Sequence, residues 1–264
     1  MKWVNADTFE GYLTDERKIA VNTLIVLSSL MLLVKMVYPP CIYYLGLNPQ
    51  KVFKSLWLWQ LVTYQFLHGG FFHLFFNMFA LWVFGRQLEQ LWGSSRFLLY
   101  YLTCGIGAGI ASVFLSGQLT IGASGSIYGL LLAFGLIFPD QYLLLYFLFP
   151  IKARTLVIIF AVLEFVMSLQ SPGDHIAHSA HLAGMFVGLV YLKIWQLIIY
   201  HKNRNQIARF NKMLEREKEL EQELDRILSK IKEFGIESLT RTERRFLDEA
   251  SEYYKYKSRS IDNF

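Results

Sequence analysis

Long apolar segments, separated by short polar connections, occupy the chain from residue 19 to about residue 200. A helix needs about 20 predominantly apolar residues to cross a hydrocarbon core about 30 Å thick. Six segments approach that length, with approximate bounds of 19–38, 68–91, 97–115, 121–138, 153–169 and 178–200. A shorter apolar stretch, 142–149, is expected to lie at the membrane interface or to be re-entrant. The pattern predicts an all-α polytopic membrane protein, built as a bundle of six transmembrane helices.

The chain changes character after residue 200, where charged residues replace apolar ones. Of the 47 Asp, Glu, Lys and Arg residues, 28 lie between Lys202 and Asp262. Residues 213–234 have the spacing of an amphipathic helix that Gly235 is suited to end, and a second, shorter helix is expected near Thr242. We divide the chain into a cytoplasmic N-terminal segment (1–18), a membrane domain (19–200) and a cytoplasmic helical tail (201–264). The tail is expected to be a solvated helical pair that is able to self-associate.

Lysine and arginine residues indicate which connections face the cytoplasm, because connections rich in them are retained inside. With the N-terminus inside, the inside connections carry Lys2, Arg17, Lys18, Arg86, Arg96, Lys152, Arg154 and the basic start of the tail. The outside connections carry Lys51 and Lys54, both in the first loop. We therefore predict a multi-pass protein of the cell (inner) membrane with both termini in the cytoplasm.

The amino-acid composition also indicates a membrane protein. Of the 264 residues, 54% are hydrophobic and only 18% are charged, which is too apolar for an ordinary soluble domain. The two cysteines, Cys41 and Cys104, have no cysteine or histidine neighbours at metal-ligand spacing, and we interpret both as structural. We expect the lipid bilayer as the environment, and no metal, no cofactor and no nucleic-acid partner.

Three reactive side chains fall at a similar depth in this topology. The second, fourth and sixth segments all run from outside to inside, and His73, Ser124 and His181 each lie a few residues into one of them. At a rise of about 1.5 Å per residue, all three lie several ångströms below the outer surface. A serine among small residues, taken alone, favours plain helix packing. Ionisable residues inside membrane segments are candidates for function, however, and the shared depth predicts one site.

The chemistry that fits these residues is acyl transfer, with Ser124 as the nucleophile and His181 as the base. A serine hydroxyl is a weak nucleophile until a base accepts its proton, and histidine is the usual base near neutral pH. Small residues on the two helices predict their close approach: Gly125, Gly129 and Ala133 on the fourth, Gly184 and Gly188 on the sixth. Tyr128, one turn after Ser124, is expected to stack on the imidazole.

The negative oxygen of the tetrahedral intermediate needs hydrogen-bond donors. Asn77 and His73 lie four residues apart and therefore share one face of the second helix. The backbone N–H of Ser124 at the start of the fourth helix adds a third donor, which the helix dipole favours. We expect these groups to form the oxyanion site.

No acidic residue is expected beside His181. Asp174 lies in the preceding loop, and Glu164 lies on the inner half of the fifth segment or near its middle. A Ser–His dyad is therefore expected rather than a triad. The loop from Gln170 to Ala177 lies outside, just before His181, and is expected to be a mobile cap over the site.

These residues resemble the motifs of the rhomboid intramembrane proteases. Gly122-Ala123-Ser124-Gly125 with Tyr128 is similar to the GxSG serine motif of that family. The other matching motifs are His68, His73 and Asn77 of its second helix, Phe84-Gly85-Arg86 through Glu89 and Gly93 after that helix, and Ala180-His181-Leu182-Ala183-Gly184 with Gly188 of its sixth helix. The resemblance covers residues 55–195, with all motifs in order. Gln60 stands where many members have an arginine after the tryptophan.

The resemblance implies a rhomboid-like six-helix fold and a serine-type endopeptidase, a hydrolase that cuts single-pass membrane proteins within or beside their transmembrane helix. Ser124 and His181 would be catalytic, Asn77 and His73 would hold the oxyanion, and Tyr128, Gly122, Gly125, Gly184 and Gly188 would support the site. The active site would open to the outer side. An inactive relative that binds membrane clients for quality control is the main alternative. A transporter is a weaker alternative, because it would need a charged pathway through the membrane and Glu164 is the only acidic residue well inside the segments.

Overall fold

The structure is a computed structural model that describes residues 18–115, 117–145, 149–170 and 178–261. Its elements form two compact units, which divide between Leu197 and Ile198. The helices are α1 (Ala20–Val37), α2 (Cys41–Leu45), α3 (Pro49–Ser55), α4 (Gln60–Thr63), α5 (Phe71–Ala80), α6 (Arg86–Trp92), α7 (Ser94–Leu115), α8 (Ser124–Ile137), α9 (Ala153–Gln170), α10 (His178–Phe234) and α11 (Arg241–Ile261). A 3₁₀ turn (Tyr64–Phe66) follows α4, and a π-helical turn (Leu81–Gly85) joins α5 to α6.

Helix α8 is the centre of the first unit. Most of its side chains are buried, among them Leu130 and Phe134, and its glycines allow neighbouring helices to approach. The outer helices instead expose apolar side chains, as a lipid-facing surface must. On α5 these are Phe71, Phe72, Phe75, Phe76 and Phe79. Ser124 thus begins a helix that its neighbours enclose.

Three helices of the described residues are long and apolar enough to cross a membrane, namely α1, α7 and α10. A fourth span exists if Gln60–Phe66 and Phe71–Trp92 count as one broken segment, although the two parts are bent by 99°. Helix α8 has 14 residues, which at about 1.5 Å per residue is about 21 Å and shorter than the hydrocarbon core. The chain is therefore an all-α, multi-pass membrane protein, and the count of six spans stays a prediction.

The first loop, between α1 and α5, is folded into the short helices α2, α3 and α4. Gln60 is fully buried and organises this loop. Its amide nitrogen donates to the carbonyl oxygens of Tyr43 and Tyr44, both at 3.2 Å, and its oxygen accepts from the backbone N–H of Asn48 at 3.0 Å. The glutamine thus supplies the polar anchor of the loop at the position where an arginine is common.

Strands β1 (Tyr142–Leu145) and β2 (Phe149–Lys152) form an antiparallel hairpin between α8 and α9, in which Leu144 faces Pro150. Lys152 and Arg154 contact the carboxylate of Asp140 at 3.1 Å and 3.4 Å. The hydrogen bond from Lys152 and the charge of Arg154 hold the pKa of Asp140 below its usual range. Strands were not expected here, because the stretch lacks an alternation of apolar and polar residues.

The second unit contains the C-terminal part of α10 and α11. The predicted helix start at Met213 is wrong, because α10 runs without a break from His178 to Phe234. The helix ends before Gly235, whose φ of 78° lies in the left-handed region. The N-terminus of α11 is closed by a capping box, in which Glu243 accepts from the Thr240 N–H at 2.8 Å and the Thr240 hydroxyl accepts from the Glu243 N–H at 3.2 Å. Hydrogen bonds from Lys230 and Thr240 hold the pKa of Glu243 at about 2.

Candidate active site

Ser124 is the first residue of α8, and its hydroxyl oxygen lies 2.8 Å from Nε2 of His181 on α10. This is the distance at which the imidazole can accept the hydroxyl proton. The serine is half-buried and His181 is buried. The segment before the serine is fixed to the first loop, because the N–H of Gly122 donates to the carbonyl of Tyr64 at 2.9 Å. The structure thus brings together the two residues that the sequence assigns to catalysis.

Close packing of α8 on α10 makes this contact geometrically possible. A Cβ atom on Gly184 would lie 2.1 Å from the carbonyl oxygen of Gly125, whereas one on Gly125 would lie 2.3 Å from Cβ of Ala108 on α7. Backbone therefore touches backbone at this crossing, as small residues permit. Gly188 has another neighbour: a Cβ there would lie 2.4 Å from the Tyr100 hydroxyl of α7. Gly188 thus packs α10 against α7 rather than against α8.

The imidazole of His181 is held on its face by Tyr128. The two rings are stacked, with centroids 4.4 Å apart and an interplanar angle of 14°. Tyr128 lies one helical turn after Ser124, so the same helix presents the hydroxyl and the stacking ring. This arrangement restricts rotation of the imidazole about its χ angles.

An acidic residue does lie beside His181, contrary to the expectation from the sequence. The carboxylate oxygen Oε2 of Glu164, on α9, lies 3.0 Å from Nδ1 of His181 and 2.7 Å from Nδ1 of His178. The approach to His181 is a close contact off the axis of a ring N–H, since it does not meet the angle of a straight hydrogen bond. The hydroxyl of Tyr128 donates to the other oxygen of the same carboxylate.

The expectation was wrong because Glu164 lies in the C-terminal half of α9, which the predicted topology places toward the outer side. Glu164 lies six residues before the end of α9 and His181 lies three residues after the start of α10, which corresponds to about 9 Å and about 5 Å along the two helices. The glutamate side chain is long enough to span the difference of about 4 Å between these two positions. One feature of the sequence does point to this contact. His178 and His181 are three residues apart and share one helix face, so both imidazoles can meet the same acidic side chain.

His73 and Asn77 lie on α5, where Nδ1 of His73 accepts a hydrogen bond from the Gly69 N–H at 3.1 Å. A neutral imidazole with this acceptor carries its hydrogen on Nε2. That nitrogen faces Gly122, where a Cβ atom would lie 2.9 Å from it and where the backbone φ is 125°. The side-chain amide of Asn77 donates to the His73 carbonyl at 2.8 Å, which leaves its second N–H for another acceptor.

Glu164, His178 and His181 also offer donor atoms that lie within 4.8 Å of one another, a spacing that a metal ion could bridge. In the structure, Oε2 of Glu164 lies between the two imidazoles, 2.7 Å from Nδ1 of His178 and 3.0 Å from Nδ1 of His181. The predicted capping loop and Asp174 fall at residues 171–177, which lie outside the described residues.

A family model for the Rhomboid domain matches residues 56–196 of the chain. The chain belongs to the rhomboid family. The region that matches the Rhomboid domain runs from α4 into α10. It contains Ser124, His181 and Glu164. A second model, for a family of unknown function (DUF6576), matches residues 209–253, within the tail.

Among rhomboid relatives, the chain is 39% identical over 130 residues to the rhomboid protease GluP of Bacillus subtilis, covering 49% of this chain and 24% of that protein. It is 41% identical over 87 residues to the mitochondrial RHOMBOID-like protein 6 of Arabidopsis thaliana, covering 33% and 28%. It is 32% identical over 141 residues to the putative rhomboid protease YdcA of Bacillus subtilis, covering 50% and 64%. The chain therefore spans about a quarter of the length of the first two relatives.

Proposed function

We propose that this rhomboid-family chain is an intramembrane serine endopeptidase that cuts single-pass membrane proteins within or beside their transmembrane helix. The observation that carries the proposal is the 2.8 Å contact between the Ser124 hydroxyl and Nε2 of His181, on helices that pack backbone to backbone. Kinship with proteins named rhomboid proteases supports the reaction class.

In the first half of the reaction, Nε2 of His181 accepts the hydroxyl proton while the serine oxygen attacks the carbonyl carbon of the scissile bond. The carbonyl oxygen becomes an oxyanion. When the tetrahedral intermediate collapses, the C–N bond breaks, and the imidazolium returns the proton to the departing amine. In the second half, water repeats the sequence on the acyl-enzyme, and Ser124 regains its proton.

The oxyanion is assigned to the N–H of Ser124, the Asn77 amide and Nε2–H of His73. The serine N–H is at the N-terminus of α8, where the first backbone N–H groups have no partner within the helix and the dipole favours an anion. The hydrogen bond from Gly69 to Nδ1 supports the tautomer in which His73 donates through Nε2. Together these groups supply fixed hydrogen-bond donors. Stabilisation of the oxyanion by such donors is the largest contribution to the rate enhancement of many acyl-transfer enzymes.

The substrate class follows from the location of the serine. Ser124 starts a short helix enclosed by the membrane unit, and the outer faces of α5 and α9 are apolar, so a lipid-embedded peptide is the partner that can reach it. An α-helical substrate must unwind before its carbonyl meets the hydroxyl, because helical hydrogen bonds shield the backbone. Residues with low helix propensity near the scissile bond should therefore favour cleavage.

The alternative, an inactive relative that binds membrane clients, is disfavoured because the nucleophile and base are both present and in contact. The two functions are separated by cleavage assays of the purified full-length protein in detergent with a single-pass membrane protein substrate. Ser124→Ala and His181→Ala should each reduce turnover by at least about 10³-fold, because nucleophile and base act as a unit.

The matched control is Ser126→Ala on the same helix. The Ser126 hydroxyl is buried and contacts the Gln65 side chain at 2.9 Å and the Tyr101 carbonyl at 2.8 Å, away from His181. Its loss should lower stability by about 1 kcal/mol while a fluorophosphonate probe still labels Ser124. Cleavage by purified Ser124→Ala at the wild-type rate would exclude the serine mechanism.

A further inference from the structure

Glu164 is a buried carboxylate, 6% exposed, on the apolar helix α9. Its two oxygens contact side chains from two other helices: Tyr128 of α8, and His178 and His181 of α10. A carboxylate inside a membrane protein is expensive unless it is paired, and such residues usually serve the function. The proposed function so far gives this group no role.

The imidazole of His181, the side chain of Tyr128 and the carboxylate of Glu164 all contact one another. The ring of Tyr128 covers one face, and the hydroxyl of the same tyrosine donates to Glu164. The second oxygen of Glu164 lies 3.0 Å from Nδ1 of His181. Nδ1 of His178 lies 2.7 Å from the same oxygen, and since a carboxylate only accepts, this contact also holds the carboxylate in place. The imidazole is therefore held by its face and by its Nδ1 edge.

This placement selects one tautomer of His181. An ionised carboxylate accepts hydrogen bonds and cannot donate them, so beside Nδ1 it favours the form with the hydrogen on that nitrogen. The lone pair of Nε2 is then directed at the Ser124 hydroxyl, 2.8 Å away, and can accept its proton. Once the proton has moved, the negative charge of Glu164 lies next to the imidazolium and stabilises it.

We propose that Glu164 is the positioning residue of His181 and completes a Ser124–His181–Glu164 triad, with Tyr128 and His178 holding the carboxylate. The kinetic consequence rests on the proposed function, whereas the tautomer of His181 does not depend on cleavage. The proposal thus assigns a third helix, α9, to the active site.

Glu89 offers a matched control, because it is also a buried carboxylate in the membrane unit. It accepts from the backbone N–H groups of Ala20 at 2.6 Å and Val21 at 3.2 Å, and from the Ser94 hydroxyl at 2.5 Å. These contacts join α6 to the start of α1 and are structural. Glu89→Gln and Glu164→Gln both remove one buried charge without changing side-chain size, so a general loss of stability should affect both.

The test uses full-length protein in detergent, labelled with ¹⁵N in its histidine rings, and compares wild type with Glu164→Gln, Glu164→Asp and Glu89→Gln. The chain has six histidines, and His178→Gln and His181→Gln each remove one resonance set, which assigns those two residues. We expect wild-type His181 as the Nδ1–H tautomer, loss of that form in Glu164→Gln, and its retention in Glu89→Gln. The kcat for cleavage should fall by at least about 10²-fold in Glu164→Gln with KM changed by less than about twofold, and by less in Glu164→Asp, which keeps the charge.

Each outcome decides between the two proposals. If wild-type His181 carries its hydrogen on Nε2, or if Glu164→Gln keeps kcat within about threefold of wild type, the positioning role is wrong. The same holds if Glu89→Gln shows equal losses of tautomer and kcat. If the wild type holds the Nδ1–H tautomer through Glu164 yet cleaves no membrane substrate and is not labelled by a fluorophosphonate, the positioning role stands and the protease function fails.

Discussion

At the scale of single residues, the site depends on which hydrogen each histidine carries. His73 receives a backbone hydrogen bond at Nδ1 and therefore donates through Nε2, whereas His181 has a carboxylate at Nδ1 and accepts through Nε2. Two histidines of one protein thus take opposite roles, set by one neighbour each. Gly122 makes room for the first of them, since a side chain there would collide with the His73 ring.

Removing the Asn77 amide should test the oxyanion assignment. Asn77→Ala is expected to lower kcat by about 10²- to 10³-fold, the loss typical of one oxyanion donor, with little change in KM. Because the Asn77 amide also bonds to the His73 carbonyl, thermal unfolding of the variant in detergent must be measured alongside. An increase in KM at unchanged kcat would place Asn77 in substrate binding instead.

The contact of Ser124 with His181 and the stacking of Tyr128 could be predicted from the sequence, because each depends on helix periodicity and on segment order. Ser124 and Tyr128 share a face at any helix rotation, and His181 follows from the depth of the sixth segment. Glu164 could not be predicted in this way. Its contact depends on the rotation of α9 about its own axis and on the reach of the side chain, neither of which a hydropathy pattern contains.

At the scale of elements, the apolar segments predicted the helix starts within a few residues, but neither the end of α10 nor the internal breaks. The second segment is interrupted by the π-helical turn Leu81–Gly85. The helical piece Gln60–Phe66 of the first loop makes an angle of 99° with the helical stretch Phe71–Trp92. The β-hairpin lies in a uniformly apolar stretch with a proline in its second strand, which only an edge strand tolerates. Tertiary contacts, not local sequence, determine these features.

The crossing of α8 and α10 should be intolerant of any added atom. In Gly184→Ala the new methyl would lie 2.1 Å from the Gly125 carbonyl oxygen, a backbone atom that no side-chain rotation can move. We expect a loss of about 1–3 kcal/mol in stability from overpacking, and a fall in kcat of about 10²-fold from an increased separation of Ser124 and His181. Unfolding and turnover should both be measured in detergent.

Gly70→Ala is the matched control for this substitution. A Cβ atom at Gly70 meets nothing within 4 Å, and its φ of −170° is extended backbone that alanine adopts. The control should therefore keep both stability and turnover. If Gly184→Ala matched Gly70→Ala in turnover, the approach of α8 to α10 would not limit the chemistry.

At the scale of the whole molecule, the position of the site along α8 relates chemistry to membrane orientation. Ser124 is at one end of α8, and the hairpin with Asp140, Lys152 and Arg154 follows the other end. Lys152 at the end of β2 and Arg154 at the start of α9 are basic, and connections with basic residues are retained on the cytoplasmic side. The serine end of α8 should therefore face the outer side, and the segment that leads into it, including Gln118, should be reachable from there.

Cysteine labelling in intact cells tests this orientation. The native residues Cys41 and Cys104 are buried, so the wild-type chain should show little reaction with a membrane-impermeant maleimide and serves as the background. Gln118→Cys, in the exposed connection before α8, should react in intact cells, whereas Glu221→Cys, exposed in the tail, should react only after the membrane is permeabilised. The reverse pattern would place Ser124 near the cytoplasmic surface, and substrates would then have to be membrane proteins cut on that side. Labelling of both variants in intact cells would show that the tail and the serine end of α8 face the same compartment, which contradicts the basic hairpin as the inside connection.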